Sequence, residues 1–482
     1  MKKILFGIFF ACSIYAALPT NGTLVFETRP TNGSDNNGGC YVTGSTGTDF
    51  SQQNSPQNAF TDLIIGATTT QATSVLNPFA STDVGNCVQV VSGSGCTTGF
   101  YQIVSVATIT ATMDRSLGSA ASVCTANEGG ALKTIGKWNT LLAATCGGTC
   151  GWGNWVKAEA TITTTTSFSF SSTTNANAGV PIFLSGYTTT RGDGGRVTIQ
   201  QTAEISFDNA IIAIANNIGG MLINNFTLDC NAQTGSRSLT IQGTQGPNVA
   251  QNILATNCKS TSGSIELNNS GHWCMQCTVT GQGTGGPSFS LDAGNGGNNC
   301  LDCVAVNGAG PGFVYTYSTC IRCIAANNTG ATSDGFQITA NSTANIIYLD
   351  SVISYNNGRD GLRLSPGEIV HVTNSVFYGN AGFGINDTRN NLFLGFGVFD
   401  YNAFGGNTSG ARSQVPVGSH DVTLSGDPFT NGASNNFAPL SSTIKGVGFP
   451  GALSLGGTGH LDIGTLQSSG SGGGASAHPI IQ

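Results

Sequence analysis

Through the middle of the chain, hydrophobic positions come in short bursts rather than in stripes at helical spacing. Asn225-Phe226-Thr227-Leu228 and Asn252-Ile253-Leu254-Ala255 are followed by Cys277-Thr278-Val279-Thr280, Cys303-Val304-Ala305-Val306 and Cys323-Ile324-Ala325-Ala326. The series continues with Ser351-Val352-Ile353-Ser354, Ser375-Val376-Phe377-Tyr378 and Gly397-Val398-Phe399-Asp400. The burst returns about every 25 residues, which marks a stacked repeat. Each begins with a small residue, continues as a β-forming segment, and usually reaches Asn or Gly soon afterwards. Asn307, Asn327, Asn356, Asn380 and Asn402 hold that later place.

In several units a second strand follows a Gly-rich turn, as in Asp334-Gly335-Phe336-Gln337-Ile338 and Asp360-Gly361-Leu362-Arg363-Leu364. This cycle is too short for a propeller blade and lacks the leucine-rich signature. It fits one coil of a parallel β-helix, in which like residues stack about 4.8 Å apart. The recurring Asn then reads as a turn ladder, with side-chain amides bonded to one another.

The pattern places the coils over residues 130–410. Residues 18–129 have a different texture, with runs such as Cys87-Val88-Gln89-Val90-Val91 between Gly/Ser/Thr turns, and read as a β-rich N-terminal module. Residues 411–465 are expected to add last coils and a cap, since an open coil stack needs its ends covered. Residues 466–482 read as a flexible Gly/Ser-rich tail. At the other end, Met1-Lys2-Lys3 and the apolar run from Ile4 to Ala11 predict a signal peptide over residues 1–17.

Composition narrows the picture. Charged residues are 9% of the 482, against about 25% in typical globular proteins. Too few charges exist to clothe many amphipathic helices, so a mainly helical protein is ruled out. The net charge of −7 and the lack of any Lys/Arg cluster argue against nucleic acid. No later segment is apolar for long enough to form a transmembrane helix. Of the 15 cysteines, Cys12 falls in the leader, and the even remainder suits an oxidising, secreted or cell-surface location.

Three further stretches carry a resemblance. Gly130-Ala131-Leu132-Lys133-Thr134-Ile135 leading to Trp155-Val156-Lys157-Ala158 looks like a capping helix and first strand. Gly186-Tyr187-Thr188-Thr189-Thr190 with Gly192-Asp193-Gly194-Gly195 looks like a first-coil motif, and His460-Leu461-Asp462-Ile463-Gly464 like an Asp-Ile-Gly ending. Together with the repeat, they resemble secreted right-handed parallel β-helix proteins of the pectin-lyase-like superfamily, as found in environmental bacteria and phages. The resemblance implies an all-β, right-handed, single-stranded solenoid. It covers lyases, hydrolases, tailspikes and adhesive or structural proteins alike.

Cys274-x-x-Cys277, Cys300-x-x-Cys303 and Cys320-x-x-Cys323 form a constellation of their own. The spacing of the last two pairs matches a zinc ribbon taken alone. The repeat supplies a competing account, because each pair occupies the same place in three consecutive coils. Stacked cysteines would have Cα atoms about 4.8 Å apart, inside the disulfide range. Later coils place Ser351 and Ser375 in the second position, which points to a need for a small side chain. In an extended strand, residues i and i+3 face opposite ways, so a pair could chelate only across a corner. The six are read as structural cysteines, in a ladder or disulfides, against free buried thiols or a metal site. No metal is expected.

Catalytic series of the superfamily are missing. There is no Asn-Thr-Asp, Asp-Asp, Gly-His-Gly and Arg-Ile-Lys series as in polygalacturonases, and Gly271-His272 lacks the following glycine. The Arg-x-Pro-x-x-Arg of pectate lyases is missing too. Asp334 and Asp360 align one coil apart with Arg359, Arg363 and His371 near them in sequence, so Asp334, Asp360 and Arg363 are the candidate catalytic groups. The competing reading makes each Asp-Gly a turn, in which Asn would replace Asp at about 0.5 kcal/mol or less. His272 beside Trp273 could bind sugar or pack at a corner. Tyr315, Tyr317, Tyr355 and Tyr401 are candidates for a carbohydrate-stacking strip, with internal packing as their alternative use.

The leading reading is an extracellular or surface β-helix protein that binds carbohydrate or serves as an adhesive, structural element. The rivals are a polysaccharide lyase or glycoside hydrolase on the same fold, and a phage tailspike-like receptor-binding protein. A polysaccharide or cell-surface glycan is the expected partner, and the sequence favours no oligomeric state. A binder needs no cofactor, whereas a lyase would use Ca2+.

Overall fold

The computed structural model describes residues 24–145, 152–170, 182–205, 210–215, 218–243, 247–269, 271–292, 297–339, 346–365, 369–388, 397–449 and 462–465. The signal peptide and the Gly/Ser-rich tail lie outside the described residues, as do His460 and Leu461. The chain is all-β, with coils of three short strands stacked in parallel. One coil shows the plan: Trp273–Met275 belongs to a first sheet, Thr278–Thr280 to a second, and Phe289–Asp292 to a third. Register runs residue on residue, with Trp273 over Asn299, Thr278 over Val304, and Phe289 over Phe313. The third sheet alone carries ten strands in unbroken sequence order.

Left-handed backbone makes the coil turn. Between the first and second strands stand Asn225, Asn252, Gln276, Asp302, Arg322, Ser351, Asn374 and Tyr401, all with φ between 50° and 64°. After the second strand stand Asn257, Gly281, Asn307, Asn327, Asn356, Gly379 and Gly406, again with positive φ. For most L-residues this conformation costs about 1–2 kcal/mol, and Asn and Gly relieve it. Asn252 Nδ2 donates to Asn225 Oδ1 (2.7 Å), and Asn356 Nδ2 to Asn327 Oδ1 (3.0 Å).

One position further on, a second ladder runs inside the wall. Asn328 donates to Asn357 (2.9 Å), Asn357 to Asn380 (3.0 Å) and Asn380 to Asn407 (3.0 Å). The single Asn column expected from the sequence is therefore three structures. Asn307, Asn327 and Asn356 form the left-handed corner, and Asn380 belongs to the inner ladder. Asn402 follows the other corner and bonds the Val372 carbonyl (2.9 Å). The repeat units shift similarly. Asn225, Asn252 and Ser351 are corner residues, and Cys277, Cys303, Cys323 and Ser375 follow the corner by one. Gly397 precedes the first-sheet strand Phe399–Asp400 instead, and Asn402 stands in its place.

Inside, identical residues stack. Phe289, Phe313 and Phe336 are fully buried with parallel rings 4.6 and 5.1 Å apart. At the amino end, Leu24–Thr28 pairs in parallel with Trp152–Val156, so it is a rung of the solenoid rather than part of the module before it. Six antiparallel strands between Asn58 and Glu128 then close a small barrel. The helix Ile135–Thr145 sets Trp138 edge-on against Phe170 (5.6 Å), covering that end of the coils. It is not long and apolar enough to cross a membrane, nor is any other helix among the described residues. Buried Glu27 on the Leu24–Thr28 rung gathers Arg29 (2.6 Å), Arg191 (2.7 Å) and the Tyr187 hydroxyl (2.6 Å), and Arg191 reaches on to Asp49 of the module (2.9 Å).

The carboxyl end departs from a simple plug. Val422–Thr423 adds one rung over Ala403–Phe404. The chain then turns back along the outer face of the second sheet, where Leu424, Phe429, Phe437, Ile444 and Ile463 cover Val304, Ile324, Ile353 and Val376. Polar ties hold this strap: Tyr355 donates to Asp427 (2.7 Å), and Asn327 to Asn435 (2.9 Å). The outward residues of these strands are Val, Ile and Tyr, so the flank itself demands a cover.

Among the described residues, three disulfides join Cys40–Cys87, Cys96–Cys124 and Cys230–Cys258. The last links adjacent coils with Cα atoms 4.8 Å apart, the stacked geometry expected of the paired cysteines further on.

Two stability predictions follow. Replacing Asn357 by Ala orphans several buried groups, each worth about 1–3 kcal/mol, so urea unfolding followed by circular dichroism should show a loss of about 2–4 kcal/mol. In the barrel, burial and then the charge of Asp83 push the Glu128 carboxyl up to about 8, against a bond from Asn58. Between its ordinary value of 4.5 and about 8, the folded state keeps a proton that the unfolded state has lost. Stability therefore falls as pH rises through this window. Glu128→Gln should remove that slope, so that its advantage over the parent grows from pH 4.5 to pH 8 by about 2–4 kcal/mol.

Candidate carbohydrate-binding surface

The aligned carboxylates are neighbours, as the repeat predicts, and both are engaged by protein donors. Asp334 and Asp360 occupy adjacent rungs and both are buried. Asp334 Oδ1 accepts from Arg359 Nε (2.7 Å) and from the Asp360 N–H (3.1 Å). Asp360 accepts from the Phe383 N–H (2.9 Å) and Asn386 Nδ2 (2.8 Å), with Arg363 3.6 Å away. A Cβ on Gly382 would stand 2.2 Å from Asp360 Oδ1, so the next coil packs directly onto that carboxylate. The acceptor positions of both carboxylates are thus occupied by protein donors. His371 lies on the first sheet, away from them. His272 is buried, its Nδ1 accepting the Asn248 N–H (3.2 Å), while Trp273 faces outward.

The four tyrosines do not form an exposed strip. Tyr315 sits in an inward column with Leu291 and Ile338, stacked between aromatic rings of the core. Tyr317 is buried, and Tyr355 lies under the carboxyl-terminal strap. Tyr401 alone is partly exposed, at a left-handed corner with its ring 4.2 Å from that of His420.

All six paired cysteines are buried. Cys274, Cys300 and Cys320 stack in one column, and Cys277, Cys303 and Cys323 in the next. The corner needed for both members to face inward is present, since Gln276, Asp302 and Arg322 between them have φ of 55°, 56° and 51°. The coil after Cys323 carries Val352 at that rung, with Ser351 at the corner; Ser375 does continue the column.

The outer face of the first sheet is open. Tyr348 stacks over His371 with ring centroids 5.0 Å apart, and Val398 continues the column. Tyr348 and Val398 are 46% and 49% exposed, which distinguishes this surface from the strapped flank. Two residues along the strands, Asp350, Thr373 and Asp400 form a parallel polar column. Asp400 Oδ2 bonds His420 Nδ1 (2.8 Å), and its Oδ1 accepts the N–H groups of His420 (2.8 Å) and Tyr401 (3.0 Å). Burial would raise the Asp400 carboxyl, but the bonds from His420 outweigh it and lower it. Burial alone lowers His371.

The surface thus offers an aromatic pair beside an anchored carboxylate–imidazole pair. Of the sequence candidates it contains Tyr401 only. The alternation in Ile346-Ile347-Tyr348-Leu349-Asp350 could have revealed Tyr348, because a period of two puts Ile346 and Tyr348 on one face. Nothing local in the sequence announces the Asp400–His420 pair, which a 20-residue excursion brings together.

No family model and no curated protein matches the chain. Among solved structures it is similar to a pectate lyase, at 11% identity and a TM-score of 0.41, covering 70% of this chain and 92% of that one. It is also similar to the A-module of Azotobacter vinelandii mannuronan C-5 epimerase, at 15% identity and a TM-score of 0.30, covering 57% and 91%. A tailspike protein of Pseudomonas phage LKA1 matches at 13% identity and a TM-score of 0.22, covering 77% and 64%.

The buried ion pair revises what an isosteric change at Asp334 does. Asp334→Asn strips Arg359 of its carboxylate and should cost about 2–3 kcal/mol, well above a surface turn. Thermal unfolding of the variant measures it, and any ligand binding should survive in the folded fraction.

Proposed function

We propose that the protein is an extracellular or cell-surface carbohydrate-binding β-helix, and that it holds a glycan on the outer face of the first sheet around Tyr348, His371, Asp400 and His420. The observation that carries this reading is the exposed Tyr348–His371 ring stack beside the Asp400–His420 pair. Sugar rings present C–H faces that pack on aromatic rings, and hydroxyls that bond to carboxylates and imidazoles. The stiff coil stack holds these groups in place before a ligand arrives, which lowers the ordering cost of binding. The three disulfides fit an oxidising compartment.

A second reading, a polysaccharide lyase or glycoside hydrolase, draws on one feature of the same surface. His420 is held through Nδ1 by Asp400 and its side chain is 53% exposed, an arrangement that suits a general base. Incubation with a polysaccharide panel separates the readings. A binder retains glycan and releases neither reducing ends nor unsaturated uronate, whereas an enzyme produces one of them.

Tyr348→Ala should weaken binding of the retained glycan by about tenfold or more, equivalent to about 1.4 kcal/mol, without altering thermal unfolding. Unchanged affinity on a glycan array would place the site elsewhere.

A further inference from the structure

We propose that Cys274, Cys277 and Cys303 form a closed three-thiolate site in the solenoid core for a soft d10 cation, copper(I). The three sulfur atoms all lie within 4.8 Å of one another, and all three residues are fully buried. The obstacle foreseen from the sequence, that i and i+3 face opposite ways, is removed by the left-handed residue inside each pair. Gln276 turns Cys274 and Cys277 into one interior, and Asp302 does the same for Cys300 and Cys303.

Cys303 is the hub of the cluster, lying against the thiols of Cys274, Cys277, Cys300 and Cys323 at once. A disulfide can use one such neighbour, whereas a metal ion can use several. The contrast with Cys230–Cys258 is informative, because that pair, likewise one coil apart, is joined as a disulfide. The six core cysteines stay as thiols.

The donor set selects the ion. Thiolates favour soft cations such as copper(I) and zinc(II), and structural zinc takes four ligands in a tetrahedron. A trio of sulfurs in a sealed apolar core instead fits the three-coordinate geometry open to copper(I). Binding forms three Cu–S bonds and releases three thiol protons to solvent, with copper staying in the +1 state. The resulting site carries two negative charges, and the positive charge of Arg196, held on Asn252, interacts electrostatically with Cys277 and offsets part of them.

The test uses the full reduced protein under nitrogen, titrated with copper(I) as its acetonitrile complex against bathocuproine disulfonate. The expected result is about one equivalent withheld from the chelator, with sulfur-only ligation in X-ray absorption. Cys303→Ser should weaken retention by at least about tenfold. Serine is tolerated on this column, as Ser375 shows, and Cys277→Ser is the second variant should the first fail to fold. Complete loss of copper to the chelator would overturn the proposal. So would a tetrahedral zinc site, or peptide mapping of protein isolated without reductant that finds Cys303 in a disulfide.

Discussion

From Asn225 to Gly406, the stacking of this molecule depends on two residues per coil that accept left-handed backbone. With φ near +55° at those corners, the chain bends sharply enough to close a coil and still returns each strand onto the one before it. The asparagines that fill many of these corners do more than tolerate the conformation. Their amides bond along the stack, and the inner series Asn328, Asn357, Asn380 and Asn407 turns a row of buried polar groups into a continuous chain of bonds. A fully satisfied buried polar network specifies register, because a slip by one residue would orphan all of its members together.

Register in turn decides what each sheet can do. Inward columns become ladders of like residues: phenylalanines on the third sheet, cysteines beside the first corner. Outward columns divide by what covers them. The second sheet presents Val, Ile and Tyr and is covered by Leu424, Phe429, Phe437, Ile444 and Ile463, while the first sheet leaves Tyr348 and Val398 open. The proposed glycan surface and the thiol core are thus opposite sides of the same wall, set by the same alternation.

Much of this was legible in the residues. The 25-residue beat, the Asp334–Asp360 alignment and the stacking of Cys-x-x-Cys pairs follow from repetition, since a parallel stack puts equivalent positions in contact. What failed did so for physical reasons. Corner residues and the residues after them are both small or polar, so the beat was legible to within one position and merged two Asn ladders. The reach of the strap came from neither pattern nor spacing, because its partners are distant rungs. Tyr315 and Tyr355 looked available because side-chain type says nothing about which face a column occupies. The use of Asp334 by Arg359 was hidden in the same way, although the two stand 25 residues apart, one coil length.

The central claim is that the coils are locked residue on residue. Cysteines introduced in place of Gln337 and Arg363, which face outward on adjacent rungs of the third sheet, test it directly. Stacked Cα atoms about 4.8 Å apart lie within the range of a disulfide, whereas positions two rungs apart do not. Mass spectrometry of the air-oxidised double variant should find the Gln337→Cys and Arg363→Cys positions linked. No link between 337 and 363, with a link formed in a second variant carrying Val314→Cys and Arg363→Cys, would contradict the register and the structure built on it.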